Sequence, residues 1–406
     1  MSNIAEIGKR CSGCRGCEQA CAVGAIRFEA DAEGFMQPVV DADKCIDCGK
    51  CLKVCPIHNV RVFEGEQKGY AARTTNAEDI KTCSSGGLFY AFAKNIIENG
   101  GVVCGCAIGE DLMPVHRCAT TIDDVQSMRG SKYVQSNMDG IFAQVKAHLQ
   151  EGREVLFTGV PCQVAGLRNF LMKDYSNLFC VDIICHGVPS RMLYADYLQW
   201  FGQKHGGVVT NYEFRSKRKH QWSLTLHADV KKNNGKTFQV EQMASLDPFY
   251  HNFLANTIYR ESCYTCPYSQ SKRPGDITLG DFWGVEQTHP ELFDIEGVSC
   301  ALVNSPKGVL FWERMKRYLK SQNVKTADII NYNGNLRAAS HRPEIRDRIY
   351  AIVEEKGFDA IPYDLSKKAQ IIDSIKDMIP NKYRSGLKML LKKVRGYPST
   401  GSGTSN

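Results

Sequence analysis

The sequence predicts an α+β protein in which a small cysteine-rich segment precedes a larger domain built on a mixed sheet. Three observations lead to this prediction. Two nearly identical cysteine runs lie within the first 56 residues, apolar strands alternate with helices from residue 70 onward, and a β-rich stretch spans residues 208–243. Alternating strands and helices are typical of a largely parallel sheet, and Asn234-Gly235 predicts a hairpin turn in the β-rich stretch.

The composition indicates a folded redox or metal protein. The chain has 406 residues, which exceeds one ordinary core, and 18 of them are cysteine. The N-terminus has no apolar stretch that resembles a signal peptide, and no run approaches the length of a spanning helix. We therefore expect a reducing, cytoplasmic location, where clustered cysteines usually bind metal or carry out redox chemistry.

Both cysteine runs, at residues 11–21 and 45–55, read C-x2-C-x2-C-x3-C. Three thiolates at this spacing hold one iron–sulfur cubane, while the fourth reaches across to a second cluster. This predicts a bacterial-type ferredoxin module with two [4Fe-4S] clusters over residues 1–65. Structural zinc is the alternative, although zinc usually takes two separated CxxC pairs. The expected ligands are Cys11, Cys14, Cys17 and Cys55 for one cluster, and Cys45, Cys48, Cys51 and Cys21 for the other.

A Ser/Gly turn precedes the first long helix after the module. The pattern predicts a helix from about Leu88 to Glu98, with Ser84 or Ser85 as its N-cap. Exposed amides at this turn would form an anion site at the helix start, and a plain Gly-rich turn is the alternative. A second amphipathic helix is expected over residues 308–320.

Polar residues and cysteines follow two of the predicted strands. Ligands of open α/β sheets bind at the carboxyl ends of the strands. We therefore expect a ligand site where these residues meet. They are Thr158, Gly159, Pro161, Cys162, Cys185, His186 and Gly187.

Seven stretches within residues 70–310 together resemble one family. They are SSGG, GGVVCGCAI, MRGSKYVQSNM, LFTGVPCQVAGLRNFL, VDIICHGVPS, SCYTCPY and DITLGDFWGVE. In this order they resemble the family of beta subunits of the deazaflavin-reducing (coenzyme F-420) hydrogenases and dehydrogenases, which includes 7-hydroxymethyl chlorophyll a reductase. The resemblance implies an α/β flavin-binding domain, FAD, iron–sulfur clusters, and electron transfer between the clusters and a second acceptor at the flavin. It does not imply one substrate.

The resemblance also implies functional residues. Cys162, Cys185, Cys263 and Cys266 match positions suited to a third [4Fe-4S] cluster, with zinc, a redox disulfide or inert thiols as alternatives. The stretches that surround the flavin contain Ser85, Gly86, Gly87, Ser131, Lys132, Tyr133, Thr158 and Gly159.

Three of the polar residues have two interpretations each. Lys132 either neutralises the flavin pyrophosphate or lies near its reduced ring, or it is a surface lysine. His186 either donates a proton in catalysis or is a packed histidine. Asp281 contacts the flavin or caps a turn. The other cysteines follow no spacing that is typical of metal ligands. They are expected to be core thiols: Cys83, Cys104, Cys106, Cys118, Cys180 and Cys300.

The predicted organisation places the ferredoxin module at residues 1–65 and the two parts of the flavin oxidoreductase domain at 70–155 and 156–325. A helical basic region (326–396) and a disordered tail (397–406) follow. Residues 367–396 hold nine Lys or Arg against two Asp, and an amphipathic helix there would either pack on the body or lie on an anionic membrane surface.

The sequence thus predicts an iron–sulfur flavoprotein oxidoreductase that passes electrons between its clusters and FAD to reduce or oxidise a small organic substrate. A non-catalytic electron-transfer subunit is the alternative. The expected partner is an electron donor or acceptor protein, such as a ferredoxin or a redox complex, and a homo-oligomer is left open. No nucleic-acid motif accompanies the basic charge.

Overall fold

The computed structural model of the chain describes residues 3–363 and residue 374. The cysteine runs form a small module in which each run has the same backbone conformation. Gly13 and Asp47 both have positive φ, as do Arg15 and Gly49, the residues that precede the two short helices. The repeated sequence therefore folds as a repeated structure. After a 3-10 helix at Ile4–Arg10, the module contains α1 (Gly16–Ala20), β1 (Ile26–Ala30), β2 (Met36–Val40) and α2 (Lys50–Val54).

The segment between the runs is the antiparallel hairpin that its alternating pattern predicts. Ile26 pairs with Val40, and Ala30 pairs with Met36. The hairpin separates the two cysteine runs along the chain and lets α1 and α2 pack against each other.

The body of the protein contains an eight-stranded mixed sheet. Its order is β13-β3-β12-β11-β7-β6-β4-β5, in which β11, β7, β6 and β4 are parallel. Strands from both predicted parts of the oxidoreductase domain share this sheet, so the two parts form one structural unit. The strands are β3 (Lys68–Thr74), β4 (Val102–Ile108), β5 (Pro114–Ala119), β6 (Val155–Gly159), β7 (Leu178–Ile183), β11 (Ile277–Asp281), β12 (Ser299–Val303) and β13 (Leu319–Val324).

A separate three-stranded antiparallel sheet follows the first half of the body. It contains β8 (Gly207–Glu213), β9 (Thr225–Lys232) and β10 (Thr237–Met243), and the last two are joined at the predicted Asn234-Gly235 turn. Its inner face packs into a core rich in aromatic side chains.

Helices cover both faces of the large sheet. One face forms a continuous core with the cysteine-rich module, because residues of β4 and β6 pack in the same cluster as the thiols of that module. The other face packs against α4 and α11. The helices of the body are α3 (Ala77–Lys81), α4 (Leu88–Glu98), α5 (Ile122–Gln126), α6 (Ile141–Gln150), α7 (Pro161–Leu171), α8 (Arg191–Lys204), α9 (Pro248–Leu254), α10 (Val285–Thr288), α11 (Pro306–Met315), α12 (Thr326–Tyr332) and α13 (Arg346–Lys356).

One sequence expectation about a helix needs correction here. The helix expected over residues 308–320 starts earlier and ends at Met315, because Leu319 begins an edge strand of the sheet. The basic segment at 367–396 and the tail at 397–406 lie outside the described residues, apart from residue 374. Among the described helices, none has the length and apolar composition needed to cross a membrane.

Candidate iron–sulfur and flavin sites

The first group of thiols is buried between α1 and α2. Cys17 lies in α1, and Cys55 directly follows the last residue of α2. Burial, followed by the nearby Cys55 thiol, raises the pKa of Cys14 to about 12. Burial also raises the pKa of Cys17, and its next strongest interactions are with Cys14 and Cys11. Cys55 therefore lies beside the first cysteine run rather than with its own sequence neighbours. Buried thiols this close together favour a bound cation, which would hold them as thiolates.

The second group lines a single cavity at the surface of the module. Its members are less buried than those of the first group, and Cys48 is exposed. The cavity walls also include Val23 and Ile46, whose side chains are 42% and 64% exposed. The four cysteines of this cavity are Cys21, Cys45, Cys48 and Cys51.

A third group forms where the large sheet meets the loop before β11. Cys162 lies in the first turn of α7, and Cys185 follows β7. Burial, then Cys266 and Cys185, raises the pKa of Cys162 well above its ordinary value. Burial, then Cys263, raises the pKa of Cys185. The structure thus brings together four cysteines that are spread over 104 positions of the sequence.

Cubane and zinc sites place their thiolates differently. A cubane holds its thiolates at its outer corners, farther apart than the ligands of one tetrahedral ion. Among residues 3–363 and residue 374, no three His, Cys, Asp or Glu side chains are close enough to hold a single metal ion. The assignment of individual ligands stays a prediction.

The first and third groups are neighbours. Cys14 is among the thiols that raise the pKa of Cys162, after burial and the thiols of its own group. Tyr268 lies between the two groups, because both Cys162 and Cys14 contribute, after burial, to its raised pKa. Its hydroxyl donates to the carbonyl oxygen of Pro56 at 2.7 Å. The cysteine-rich module is thus in direct contact with the third group.

The carboxyl edge of the parallel strands gathers the other residues of interest. β6 ends at Gly159, β7 runs into Cys185, and β11 ends at Asp281. Because these strands are parallel neighbours, their ends lie along one edge. The third cysteine group therefore lies at the edge where the sequence predicts a ligand site.

The Ser/Gly turn reaches the same edge. Gly87, rather than Ser84 or Ser85, precedes α4, and its φ of 80° requires the left-handed conformation. The Gly86 amide donates to Ser299 Oγ at 3.0 Å, so it is already used. Within the described chain, the amides of Ser85 and Gly87 donate to no protein acceptor. Two of the three expected anion donors therefore have no protein acceptor, although Ser85 and Gly87 are buried in this structure and not exposed as the sequence predicts.

Two cations, the buried Arg215 and the half-buried Lys217, hold this turn and were not predicted from the sequence. Arg215 Nη2 donates to the Ser84 carbonyl at 3.1 Å, and its Nη1 donates to Asp281 Oδ2 at 2.8 Å. Lys217 Nζ donates to the Ser85 carbonyl at 2.9 Å, and burial lowers its pKa to about 8. Both lie in a basic run after β8, which is the one sequence signal that pointed to them. Asp281 is thus an ion-pair partner, in addition to ending β11.

Lys132 is not a free surface lysine. Its Nζ donates to the carbonyls of Met128, Arg129 and Gly130 at 2.9, 2.7 and 3.1 Å. Burial lowers its pKa to about 8. The ammonium therefore organises the loop that carries Ser131, whose amide and hydroxyl contact Ser84 Oγ at 2.9 and 3.0 Å. This loop and the Ser/Gly turn form one unit.

Thr158 and Gly159 lie beside a buried histidine. His116 Nε2 is 3.1 Å from the Thr158 carbonyl, and its Nδ1 is 2.9 Å from Ser136 Oγ. A Cβ at Gly159 would come 3.4 Å from His116 Nε2. Burial lowers the pKa of His116 to about 4, so the ring is neutral at pH 7 and its Nε2–H donates to Thr158.

Tyr133 and His186 complete the predicted set. The Tyr133 ring stacks on Phe253 with centroids 4.5 Å apart, and its hydroxyl is 3.4 Å from Arg215 Nη1. His186 is exposed to solvent, yet desolvation of its ring lowers its pKa, and the Asp281 carboxylate opposes this effect. Both interpretations of His186 stay predictions.

Two of the expected core thiols form a disulfide. Cys104 and Cys118 lie directly opposite each other on β4 and β5, and their Sγ atoms are bonded. The expectation of free thiols is wrong at these positions because strand pairing, which the cysteine spacing does not reveal, decides which residues meet. The remaining cysteines of that set are free: Cys83, Cys106, Cys180 and Cys300.

Three family profiles match the chain. A 4Fe-4S dicluster profile matches residues 10–59. Two profiles of the "Coenzyme F420 hydrogenase/dehydrogenase, beta subunit" match as well, the N-terminal one at residues 69–142 and the C-terminal one at residues 152–329. The fold and the cysteine groups define an iron–sulfur protein with an N-terminal ferredoxin-type domain. The chain belongs to the family of coenzyme F420 hydrogenase/dehydrogenase beta subunits.

Individual relatives are distant. The F subunit of the F(420)H(2) dehydrogenase of Methanosarcina mazei is 24% identical over 213 residues, which cover 46% of this chain and 58% of that protein. Coenzyme F420-dependent sulfite reductase of Methanocaldococcus jannaschii is 25% identical over 208 residues, covering 49% and 31%. The chain thus spans a third to three fifths of the length of these curated relatives.

The N-terminal region has its own relative. Ferredoxin-type protein NapF of Haemophilus influenzae is 37% identical over 54 residues, 13% of this chain and 31% of that protein. Among solved structures, the F420-reducing [NiFe] hydrogenase complex of Methanosarcina barkeri matches with a TM-score of 0.43 and 18% identity, covering 64% of this chain and 82% of that chain.

Proposed function

We propose that the chain is a cytoplasmic iron–sulfur flavoprotein oxidoreductase. It passes electrons between ferredoxin-type [4Fe-4S] clusters and FAD, and it reduces or oxidises a small organic substrate or coenzyme. One observation carries this proposal: twelve of the 18 cysteines form three groups of four, and the third group joins the cysteine-rich module to the carboxyl edge of the sheet. A chain of redox centres that ends at a ligand-binding edge is suited to feed electrons to a bound organic molecule.

The exposure of the thiols suggests the order of the clusters. Cys48 is exposed, so a partner can approach the cluster of the second group most closely. Cys14 and Cys17 are buried, and Cys14 lies near Cys162. Electrons from an external carrier would therefore pass from the second group to the first and then to the third.

The Ser/Gly turn has donors that fit the FAD pyrophosphate. The amides of Ser85 and Gly87 are available at the start of an eleven-residue helix, where the helix dipole favours anions. Arg215 and Lys217 add positive charge at the same turn. When bound there, a flavin supplies the means to couple single-electron clusters to two-electron chemistry. Lys132 positions the adjoining loop, and His186 is the exposed group able to exchange a proton with a substrate.

A non-catalytic electron-transfer subunit is the second candidate function. It is favoured by the relative that is named as one subunit of a dehydrogenase, which matches 46% of this chain. The two candidates differ in whether the purified chain turns over a substrate with its clusters as electron source. In both, the cysteine-rich module exchanges electrons with a partner redox protein.

The first test is cofactor analysis of the whole chain purified anaerobically after iron-replete expression. We expect about twelve iron and twelve acid-labile sulfide per chain, with about one noncovalent FAD. Reductant and acceptor screening of the same sample then separates the enzyme from the carrier. Zinc in place of iron would contradict the cluster assignment, and clusters without any flavin would favour the carrier.

A further inference from the structure

Arg260 lies at the junction between the cysteine-rich module and the body. Its side chain is only 1% exposed. Nε donates to the Cys11 carbonyl at 2.5 Å, and Nη1 donates to Gln135 Oε1 at 2.9 Å. Nη2 donates to the Met36 carbonyl at 2.8 Å and to Gln37 Oε1 at 3.1 Å. All four acceptors are neutral, so the guanidinium is fully hydrogen-bonded but its charge is not balanced by them.

Other buried arginines of the chain have carboxylate partners. Arg273 pairs with Asp182 at 2.8 Å, and Arg346 pairs with Glu33 at 2.6 Å. Within the described residues, no carboxylate lies at ion-pair distance from Arg260. An isolated buried charge is costly, because the interior solvates it poorly. Since arginine stays protonated in proteins, this charge requires compensation from another source.

Arg260 touches two of the cysteine groups. A Cβ at Gly13, between the first two cysteines of the chain, would lie 3.1 Å from Arg260 Nη1. Three residues after Arg260 comes Cys263, whose amide donates to the Arg260 carbonyl at 2.9 Å. Burial and then Cys266 raise the pKa of the Cys263 thiol, and the nearby Arg260 charge opposes this rise. A [4Fe-4S] cluster with four thiolates is an anion, and two such anions on either side supply the missing compensation.

We propose that Arg260 is the shared counter-ion of the clusters held by the Cys11 and Cys263 groups, and that its charge raises the reduction potentials of both. This rests on the proposed function, because it requires those clusters. Reduction adds a negative charge to a cluster, and a nearby buried cation stabilises the reduced form. Among the described residues, Arg260 makes no hydrogen bond with a cysteine of the Cys48 group, so the cluster of that group serves as an internal reference.

A purely structural role for Arg260 as a clamp between module and body is the alternative. Two variants distinguish this clamp from a counter-ion. Arg260→Gln removes the charge but retains a donor. Gln135→Glu keeps the guanidinium and its hydrogen bond to position 135, yet it places a carboxylate at that acceptor and neutralises the charge in place. In Gln135→Glu a clamp would lose only the hydrogen bond from Gln135 Nε2 to the Ser12 carbonyl, whereas a counter-ion would lose its effect.

The test is an anaerobic, EPR-monitored redox titration of the whole chain, with iron content measured on each sample. We expect Arg260→Gln and Gln135→Glu to shift the potentials of the clusters of the Cys11 and Cys263 groups to more negative values. In Arg260→Lys, both potentials should stay close to those of the wild type. The potential of the cluster of the Cys48 group should not change in any of these variants. As a matched control, the double variant Glu154→Gln with Arg314→Gln removes a half-buried guanidinium together with its carboxylate and should leave all potentials unchanged.

The outcomes separate the two claims. Suppose that the wild-type protein has its full iron content and that Gln135→Glu has the same potentials as the wild type. This result would overturn the counter-ion role alone, even if Arg260→Gln failed to fold. An equal shift in the control pair would also overturn it, because loss of contacts would then suffice. Wild-type protein without clusters would overturn both the counter-ion role and the proposed function.

Discussion

Gly166 of α7 lies directly against Cys14 of the cysteine-rich module. A Cβ at Gly166 would come 3.1 Å from Cys14 Sγ and 3.4 Å from the Phe142 ring. The same helix begins with Pro161 and Cys162. A residue without a side chain therefore allows the helix that carries one cysteine of the third group to approach the first group closely.

This contact predicts that Gly166→Leu separates the first and third clusters. A leucine side chain does not fit against Cys14, so the module must move or its first cluster must be lost. We expect a destabilisation of about 1–3 kcal/mol and at least a tenfold slower reduction of the third cluster in stopped-flow experiments. Ala147→Leu on the exposed face of α6 is the control. Unchanged transfer rates in Gly166→Leu would mean that electrons take another route.

If a third cluster is present, removing its four ligands should lower the iron content of the chain. Changing Cys162, Cys185, Cys263 and Cys266 together to Ser should lower the iron content from about twelve to about eight per chain. Flavin should remain bound, and electrons from the module should no longer reach it. Cys55→Ser is the comparison, because it should impair the cluster of the first run and leave the Cys48 group intact. Equal iron in wild type and the four-Ser variant would rule out the third cluster.

The Ser/Gly turn predicts the residues on which flavin binding depends. Lys217→Met removes the donors to the Ser85 carbonyl, and we expect flavin affinity to fall about tenfold from the loss of these hydrogen bonds. Lys231→Met, at an exposed position of β9, is the matched control. Gly86→Asp is unsuitable, because its Cβ would lie 2.5 Å from the Ala72 carbonyl oxygen and disturb the fold itself. Full flavin occupancy of Lys217→Met would remove the site from this turn.

The exposed cluster predicts where a redox partner docks. Val23 and Ile46 lie beside Cys48 and are 42% and 64% exposed. Ile46→Glu should slow reduction by a reduced ferredoxin about tenfold or more, because a charge disrupts the close apolar approach that electron transfer needs. Reduction by dithionite should not change. Leu310→Glu, at a 73% exposed apolar position of α11, should leave both rates unchanged, and equal rates for all three proteins would place the docking surface elsewhere.

His116 predicts a specific dependence of stability on acid. Its folded pKa of about 4 lies below the ordinary value of 6.5, because burial disfavours the charged ring. The contribution of the neutral His116 ring to the free energy of unfolding is therefore fully present above pH 6.5 and is lost as the pH falls toward 4. Between pH 7 and 5 the wild type should lose about 2 kcal/mol more than His116→Gln. Denaturant unfolding at both pH values measures this, and parallel losses would show that the ring titrates normally.

Local sequence predicted a large part of this protein. The two cysteine runs, the hairpin between them, the alternation of strands and helices and the bounds of α4 all depend on neighbours within about twenty residues. Spacing and periodicity therefore indicate them directly. The resemblance of seven motifs to one family indicated Cys162, Cys185, Cys263 and Cys266 together, and the structure places their thiols in one group.

The sequence by itself thus determined the two cysteine runs and the class of sheet, because repeated spacing carries that information along the chain. Only the tertiary structure decided which distant residues meet. The Cys104–Cys118 bond depends on the register of β4 against β5. The contacts of Arg215 with Asp281 and of Arg260 with Cys11 join residues 66 and 249 positions apart. Such pairs follow from chain topology and packing, which no local pattern records, and they place the buried charges of both candidate sites.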